Sequence, residues 1–294
     1  LSKVLLSSTL LLTMFFTTMP TSVFAAEKAA TPKAGDVDVK IDETNFPDAV
    51  FRNYIQDKTN GINKDGDKVL TPTEIKDVTE INVDREYGMK IGSLKGIEYF
   101  TALTSLNCYY NQLKDLDVSA NKALIYLDCA NNSLTSLNVN INVNLKILKC
   151  NNNLLTSLNV SKNTALTNLN CSTNQLTSLD VSAITPLYSL NCSSNKLTSL
   201  DVSNNVNLGE LQCNSNPLTS LDVSRNKSLN GLNCSSNKLT SLDVSKNTAL
   251  TSLDCSSQKR TLTYDKNKGY LLSAYDKGFV KDKASNFKDA TYKD

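Results

Sequence analysis

The sequence predicts a β-rich solenoid, a stack of short coils that share one continuous apolar core. Three observations predict this fold: cysteines at a constant spacing of 21 residues, leucines in register with them, and an asparagine three positions after nearly every cysteine. A fixed period of this length is typical of repeat proteins, in which each unit packs only on its neighbours. The eight cysteines are Cys108, Cys129, Cys150, Cys171, Cys192, Cys213, Cys234 and Cys255.

One coil, Leu187 to Asn207, has the pattern L-x-x-L-x-C-x-x-N-x-L-T-S-L-D-V-S-x-N. Alternate residues of a strand face opposite sides, so Leu190 and Cys192 are expected to point inward and Asn191 toward solvent. The second half of the coil repeats this inward pattern. We therefore predict two short strands in every coil, one on each face of the solenoid, with little helix.

Two columns of asparagine follow the two halves of the coil. Their amides can pair with backbone groups of the turns that stacking would otherwise bury without partners. Gln258 takes the place of asparagine in the last unit, and we expect it to break the first column there. The first column is Asn111, Asn132, Asn153, Asn174, Asn195, Asn216 and Asn237, and the second is Asn121, Asn142, Asn163, Asn205, Asn226 and Asn247.

The first half of each coil matches the pattern L-x-x-L-x-L-x-x-N-x-L, with Cys in the third apolar place. It therefore resembles the leucine-rich repeat, and the chain resembles the leucine-rich-repeat proteins that bacteria secrete or display, the broad internalin-like group. The resemblance is greatest to members with short repeats and a helical amino-terminal cap, and it covers about residues 45–258. It implies a solenoid that binds host or neighbouring-cell ligands on its strand face.

Residues 1–25 are typical of a secretory signal peptide: Lys3 precedes the apolar run Val4–Phe16, and small residues follow. The run is too short to span a membrane, so we expect a secreted or cell-surface bacterial protein without a transmembrane segment. Residues 26–44 are small and charged, which predicts a flexible linker.

Residues 45–77 predict a helical cap on the first coil, because Phe46, Val50, Phe51, Tyr54 and Ile55 recur at helical spacing. Thr71 and Glu74 form a capping-box motif with Pro72 at the first helical position. The irregular unit that follows opens the solenoid, which we assign to residues 78–258.

The segment Asn63–Glu74 resembles the twelve-residue EF-hand loop. This resemblance makes Asn63, Asp65, Asp67, the Val69 carbonyl and Glu74 the ligands of a calcium ion. Asn63 replaces the usual Asp, and Lys68 stands where the loop normally has glycine. Two interpretations stand: a calcium site, or a turn in which Glu74 only completes the capping box. No other cofactor is required.

Residues 259–294 follow the last cysteine. Residues 259–264 and 270–272 predict two strands around a turn rich in Asp, Asn and Gly, and hence a β-hairpin that caps the solenoid. The segment is either this cap or the start of a further domain.

Catalysis and nucleic-acid binding are disfavoured. The chain has no histidine to activate a cysteine, and stacked cysteine side chains lie parallel rather than in disulfide geometry, so we expect free, buried thiols. Lys and Arg total 31 against 29 Asp and Glu, without the basic patch of a nucleic-acid binder.

The solvent-facing positions of the cysteine strand are mostly Ser and Asn in repeats four to eight, whereas the first three repeats also carry Tyr, Asp, Lys and Ile there. Exposed aromatic residues beside charges are typical of a binding hot spot. The candidate ligand-binding residues are Asn107, Tyr109, Tyr110, Tyr126, Asp128 and Lys149. The alternative is that Tyr109 and Tyr126 only pack against the cap.

We therefore predict a non-enzymatic, monomeric, adhesin-like module that binds an extracellular protein or glycan. The alternative function is a structural spacer that presents another domain at the cell surface.

Overall fold

The computed structural model describes residues 37–84, 88 and 90–258, together with the backbone of three later strands. The predicted signal peptide and the first part of the predicted linker lie outside the described residues. Helix α1 is Ala49–Gln56 and helix α2 is Pro72–Asp77. The strands are β1 (Val39–Lys40), β2 (Val69–Leu70), β3 (Glu80–Asn82), β4 (Ser105–Asn107), β5 (Tyr126–Asp128), β6 (Ile147–Lys149), β7 (Asn168–Asn170), β8 (Ser189–Asn191), β9 (Glu210–Gln212), β10 (Gly231–Asn233), β11 (Leu242–Asp243), β12 (Ser252–Asp254), β13 (Leu262–Asp265), β14 (Tyr270–Ser273) and β15 (Phe287–Lys288).

The predicted β-rich solenoid is confirmed. A ten-stranded parallel sheet has the order β3-β4-β5-β6-β7-β8-β9-β10-β12-β15. From β4 to β12 each residue pairs with the one a repeat further on, as Leu190 pairs with Leu211. The leucines and cysteines of these strands face inward and join one apolar cluster that runs from Val39 to Leu253.

The cysteines form a buried column of free thiols, as predicted. The seven thiols from Cys108 to Cys234 are fully buried, and Cys255 is partly buried. Burial disfavours the thiolate, and it raises the pKa of Cys171 to about 12. The column therefore packs as small apolar side chains rather than as reactive groups.

The first asparagine column ties each coil to the one before it. The Asn195 amide donates to the carbonyls of Cys171 (3.0 Å) and Cys192 (3.1 Å), and its oxygen accepts the Leu176 N–H at 3.0 Å. The residue before each such amide has a left-handed backbone, as Ser194 does with φ 53°. The column thereby satisfies buried backbone groups in consecutive coils.

Gln258 continues this column, so the expectation that it ends the ladder is wrong. Its amide donates to the carbonyls of Cys234 (2.8 Å) and Cys255 (3.2 Å), and its oxygen accepts the Leu239 N–H at 3.0 Å. Glutamine offers the same amide donor and acceptor as asparagine.

The prediction of a second strand in every coil is wrong. Within the described coils the return half has strand structure only at β11. The turn in which the Asp201 carboxylate accepts the Ser203 N–H at 2.8 Å does not explain this, because Asp243 of β11 makes the same contact with the Ser245 N–H. Segment β11 is a strand because it has a hydrogen-bonded neighbour, β14. The predicted inward residues are nevertheless buried, as Leu200 and Val202 show.

The helical cap is confirmed, with shorter helices than its apolar pattern covers. Asp48 caps α1 and also accepts the Gly92 N–H at 2.8 Å, which joins the cap to the first coil. Thr71 and Glu74 form the predicted capping box at α2. Phe46, Phe51 and Ile55 are fully buried, so the cap covers the apolar end of the stack.

The flexible linker predicted over residues 26–44 is wrong for its last part. Strand β1 pairs with β2 in antiparallel fashion, and both Val39 and Ile41 are buried. Alternating apolar residues at Val37, Val39 and Ile41 are the strand pattern that the composition of the segment obscured.

The predicted carboxy-terminal hairpin is confirmed. Strands β13 and β14 pair in antiparallel fashion, and β14 also pairs with β11 of the solenoid. Strand β15 adds to the edge of the large sheet by pairing with β12. The other residues from 259 onward lie outside the described residues.

Candidate binding site on strands β4 to β6

The strand register places four of the six candidate residues in two columns on the outer side of the sheet. Ser105 pairs with Tyr126, which pairs with Ile147. In the next column Asn107 pairs with Asp128, which pairs with Lys149. Side chains directly opposite each other on neighbouring strands are in contact range, so three coils contribute to one surface.

Tyr126, Asp128 and Lys149 form one polar network. The Tyr126 hydroxyl lies 3.1 Å from Asp128 Oδ2, and Lys149 Nζ lies 3.3 Å from that hydroxyl and 3.3 Å from the same carboxylate oxygen. The ammonium also lies 5.5 Å from the centre of the Tyr126 ring. Asp128 is only 6% exposed, and its other oxygen accepts the Ala130 N–H.

This network keeps Tyr126 neutral and Lys149 charged. Partial burial, with the neighbouring Asp128 charge, raises the pKa of Tyr126. Burial opposes the charged form of Lys149, but its contacts with the Tyr126 hydroxyl and Asp128 outweigh that effect and raise its pKa. The surface therefore offers an aromatic ring, a phenol and a cation held in fixed positions.

Tyr109 and Tyr110 form a second, aromatic cluster at the end of β4. Their rings are stacked with centroids 5.8 Å apart. Lys90 Nζ lies 3.1 Å from the centre of the Tyr110 ring and donates to the Tyr110 carbonyl at 2.7 Å. Lys90 was not among the predicted residues; no repeat pattern marks it, because it precedes the first regular coil.

Tyr110 adopts a left-handed backbone with φ 56°, at the position where later coils have Asn, Thr or Ser. A bulky residue is unusual in this conformation, and such strain clusters at functional sites. Its side chain is 40% exposed. The ladder geometry therefore holds an exposed aromatic ring where folding favours a small polar residue.

Asn107 precedes the aromatic cluster along the chain and lies opposite the polar network in the sheet. Its side-chain oxygen accepts the Tyr109 N–H at 3.1 Å, and its backbone pairs opposite Asp128. The structure thus places all six candidates on three adjacent coils. The side-chain contacts found for Tyr126 are with Asp128 and Lys149, on the sheet face, rather than with the cap.

The EF-hand-like loop folds around its own side chains. The Asn63 oxygen accepts the Gly66 N–H at 3.0 Å, and Asp65 and Asp67 accept the N–H groups of Asp67 and Val69. Gly66 carries the left-handed backbone, with φ 78°. Lys68, which stands where the EF-hand loop normally has glycine, therefore does not have to adopt that conformation.

Both Glu74 oxygens accept backbone donors, from Lys64 at 2.7 Å and from Thr71 at 2.9 Å. Partial burial opposes its ionisation, but these hydrogen bonds outweigh burial and lower the pKa of Glu74. Within residues 37–258, apart from 85–87 and 89, no three Asp, Glu or Cys side chains are grouped closely enough to hold a metal ion. The capping role is shown, and calcium binding stays a prediction.

Comparison with solved structures gives the fold class. One similar structure is the functional domain of InlJ from Listeria monocytogenes, which includes a cysteine ladder. It is 36% identical to this chain with a TM-score of 0.61, and the match covers 78% of this chain and 54% of that one. The chain thus spans about half the length of that domain. Internalin C2 from the same organism is 20% identical with a TM-score of 0.59, covering 74% and 96%.

A third match is the leucine-rich-repeat ectodomain of the Arabidopsis thaliana receptor kinase GASSHO1/SCHENGEN3, 22% identical with a TM-score of 0.58, covering 63% of this chain and 25% of that one. No protein-family model matches the sequence, and no curated protein matches it. No helix in the described part of the chain has the length and apolarity to cross a membrane. The chain has a leucine-rich-repeat solenoid like those of internalins.

Proposed function

We propose that this chain is an exported, non-enzymatic bacterial module that binds an extracellular protein or glycan through the outer face of strands β4 to β6. The contact surface comprises Tyr109 and Tyr110 with Lys90, and Tyr126 with Asp128 and Lys149. The similarity to the InlJ domain and the predicted signal peptide support an adhesin-like role outside the cell.

The left-handed Tyr110 is the observation that carries this proposal. Seven other coils place Asn, Thr or Ser at this position, which shows that the fold needs no aromatic ring there. Tyr is an efficient contact residue because it provides large area at low entropy cost. An aromatic side chain retained at a strained, exposed position is best explained by contact with a ligand.

The test is a screen of the purified chain against extracellular matrix proteins and a glycan array. For the partner so found, replacing both Tyr109 and Tyr126 by Ser should weaken binding by about 2 kcal/mol or more if both are hot spots. Ser occupies equivalent positions in later coils, so thermal melting should change little. Asn168→Ser, on the same face outside the site, is the matched control and should bind normally.

The alternative, a spacer that presents another domain, predicts no partner for this face. If the double variant binds its partner as tightly as the unchanged chain, the site is elsewhere. If it melts at a much lower temperature instead, the two tyrosines stabilise the fold and the contact hypothesis is wrong.

A further inference from the structure

We propose a second binding site on the same sheet, for a neutral saccharide, at a groove over strands β9, β10 and β12. Its residues are separate from those of the proposed site at β4 to β6, and it can exist whether or not that site is correct. The groove has a volume of about 440 Å³ and is open to solvent on one side. Its polar lining residues are Glu210, Gln212, Asn230, Asn233, Thr251, Ser252 and Asp254.

At two places near this groove, a glycine in one coil leaves room for a large side chain from the coil before it. An added Cβ on Gly209 would lie 2.4 Å from Cε2 of Tyr188, one repeat earlier in the same column. The Tyr188 ring therefore lies directly on the Gly209 backbone. Its hydroxyl reaches the Asn230 amide at 3.4 Å, so the ring borders the groove.

Tyr188 is 48% exposed although one side of its ring rests on the chain. The residues equivalent to Tyr188 in neighbouring coils are not aromatic: they are Thr167, Gly209, Asn230 and Thr251. A flat aromatic surface with one face supported and the other open can stack against the apolar face of a sugar ring.

Glu210 lines the groove, and like Tyr188 it lies over a glycine of the next coil. An added Cβ on Gly231 would lie 2.4 Å from Glu210 Oε2, so the carboxylate lies over the glycine. Among the described residues, no hydrogen bond or ion pair reaches this carboxylate. Both of its oxygens remain available to accept hydrogen bonds from a ligand.

The rest of the lining suits hydroxyl groups. Asp254 uses one oxygen for the Ser256 N–H and hydroxyl, at 3.1 and 2.7 Å, and its other oxygen has no partner among the described residues. The Asn233 oxygen already accepts from the Ser235 N–H and hydroxyl, at 3.0 and 2.7 Å, so its amide nitrogen is the group that can donate to a ligand. The Asn230 amide donates to the Tyr188 hydroxyl at 3.4 Å and keeps a second N–H and its oxygen for a ligand. A saccharide hydroxyl can donate to a carboxylate while it accepts from an amide, so this donor and acceptor set matches neighbouring sugar hydroxyls.

The negative charge of the groove lining determines which class of saccharide the groove can bind. Among the residues whose side chains the structure describes, the groove lining contains two carboxylates, Glu210 and Asp254, and no Lys or Arg. Like charges repel across a partly desolvated site, so sialylated, sulfated and phosphorylated glycans are disfavoured. The structure therefore assigns this site to neutral saccharides, held by an aromatic platform at Tyr188 and acceptors at Glu210 and Asp254.

The experiment is saturation-transfer NMR and titration calorimetry of the purified chain with neutral oligosaccharides of glucose, galactose, mannose and N-acetylglucosamine. Sialylated and sulfated forms and a lysine-rich peptide are tested beside them. At least one neutral oligosaccharide should bind. Tyr188→Thr should weaken that binding about tenfold or more, through loss of the stacking surface and its tyrosine hydroxyl.

The variants separate binding from folding. Thr stands at the position of Tyr188 in other coils, and Glu210→Gln keeps the shape of the side chain while it removes the charge, so both should melt like the unchanged chain. Glu210→Gln should weaken the same saccharide severalfold. Asn168→Ser, on the same face outside both sites, is the control and should leave saccharide binding unchanged.

Four outcomes would overturn the proposal: no neutral oligosaccharide binds; Tyr188→Thr and Glu210→Gln bind as well as the unchanged chain; only acidic glycans bind; or the lysine-rich peptide alone binds at this groove. A loss of partner binding in the Tyr109 and Tyr126 variant with saccharide binding retained would show that the two sites are independent.

Discussion

The Lys149 ammonium lies 3.3 Å from the Asp128 carboxylate across the paired strands β5 and β6. The carboxylate is almost fully buried, whereas the lysine side chain is half exposed. The Tyr126 hydroxyl contacts both groups, so the ion pair fixes the orientation of a ring at the centre of the proposed site. This relationship joins residues of two coils into one unit.

Lys149→Met should remove the cation but keep the apolar part of the side chain. Because the lysine side chain is half exposed and solvent screens its charge, we expect the free energy of unfolding to fall by about 1 kcal/mol. Urea denaturation of this variant, of Tyr126→Phe and of the double variant would measure the coupling between the two residues. Additive effects would show that the network does not act as a unit.

Alkaline pH should destabilise the fold steeply. Burial raises the pKa of the stacked thiols, so the folded chain holds protons that the unfolded chain releases. Their contribution is complete below the pKa of an unfolded thiol, about 8.5, and is lost as pH rises toward the folded value. For Cys171 that folded value is about 12.

Urea denaturation across this range should show a loss of about 1.4 kcal/mol per pH unit for each buried thiol. Cys171→Ala should reduce the slope by about one proton, although the cavity lowers stability at every pH. Stability that stays constant between about pH 8 and pH 10 would contradict the burial of the thiol column.

Gln258 should stabilise the last coil as the asparagines stabilise the earlier ones. Gln258→Ala removes the acceptor for the Leu239 N–H and the donor to the Cys234 carbonyl. Loss of such partners costs about 1–3 kcal/mol, measured by urea denaturation. Gln112→Ala, at an exposed glutamine, is the control and should change stability by less than about 0.5 kcal/mol. Equal effects of the two substitutions would contradict the ladder role.

If the loop Asn63–Glu74 binds calcium, added calcium should raise the melting temperature relative to a chelator. Glu74→Gln should abolish that shift, because it removes the charged ligand. Thr71→Ala weakens the capping box but keeps the Glu74 carboxylate, so the shift should persist at a lower melting temperature. Equal melting of the unchanged chain with calcium and with chelator would leave Glu74 its capping role alone.

Much of the site could be predicted because residues that differ from their equivalents in other repeats are easy to identify in the sequence. Tyr109, Tyr126, Asp128 and Lys149 stand out from the Ser and Asn of later coils, and the strand register brings three of them into one network. Lys90 and Tyr188 were missed, since neither occupies the strand positions at which the repeats were compared.

The amino-acid sequence by itself determined the solenoid, its inward leucines and cysteines and the asparagine column, because these follow from a pattern repeated at one period. It also determined the two caps, because helical spacing, a capping box and a turn-rich segment mark them locally. Only the tertiary structure decided where partners from different coils meet. The pairing of β1 with β2, the contact of Lys149 with Tyr126 and that of Tyr188 with Asn230 each join residues more than 20 positions apart. The return segments show that tertiary contacts also decide which segments become strands. Their inward pattern fits a strand, but a strand needs a hydrogen-bonded neighbour, and among the described return segments only β11 has one, in β14.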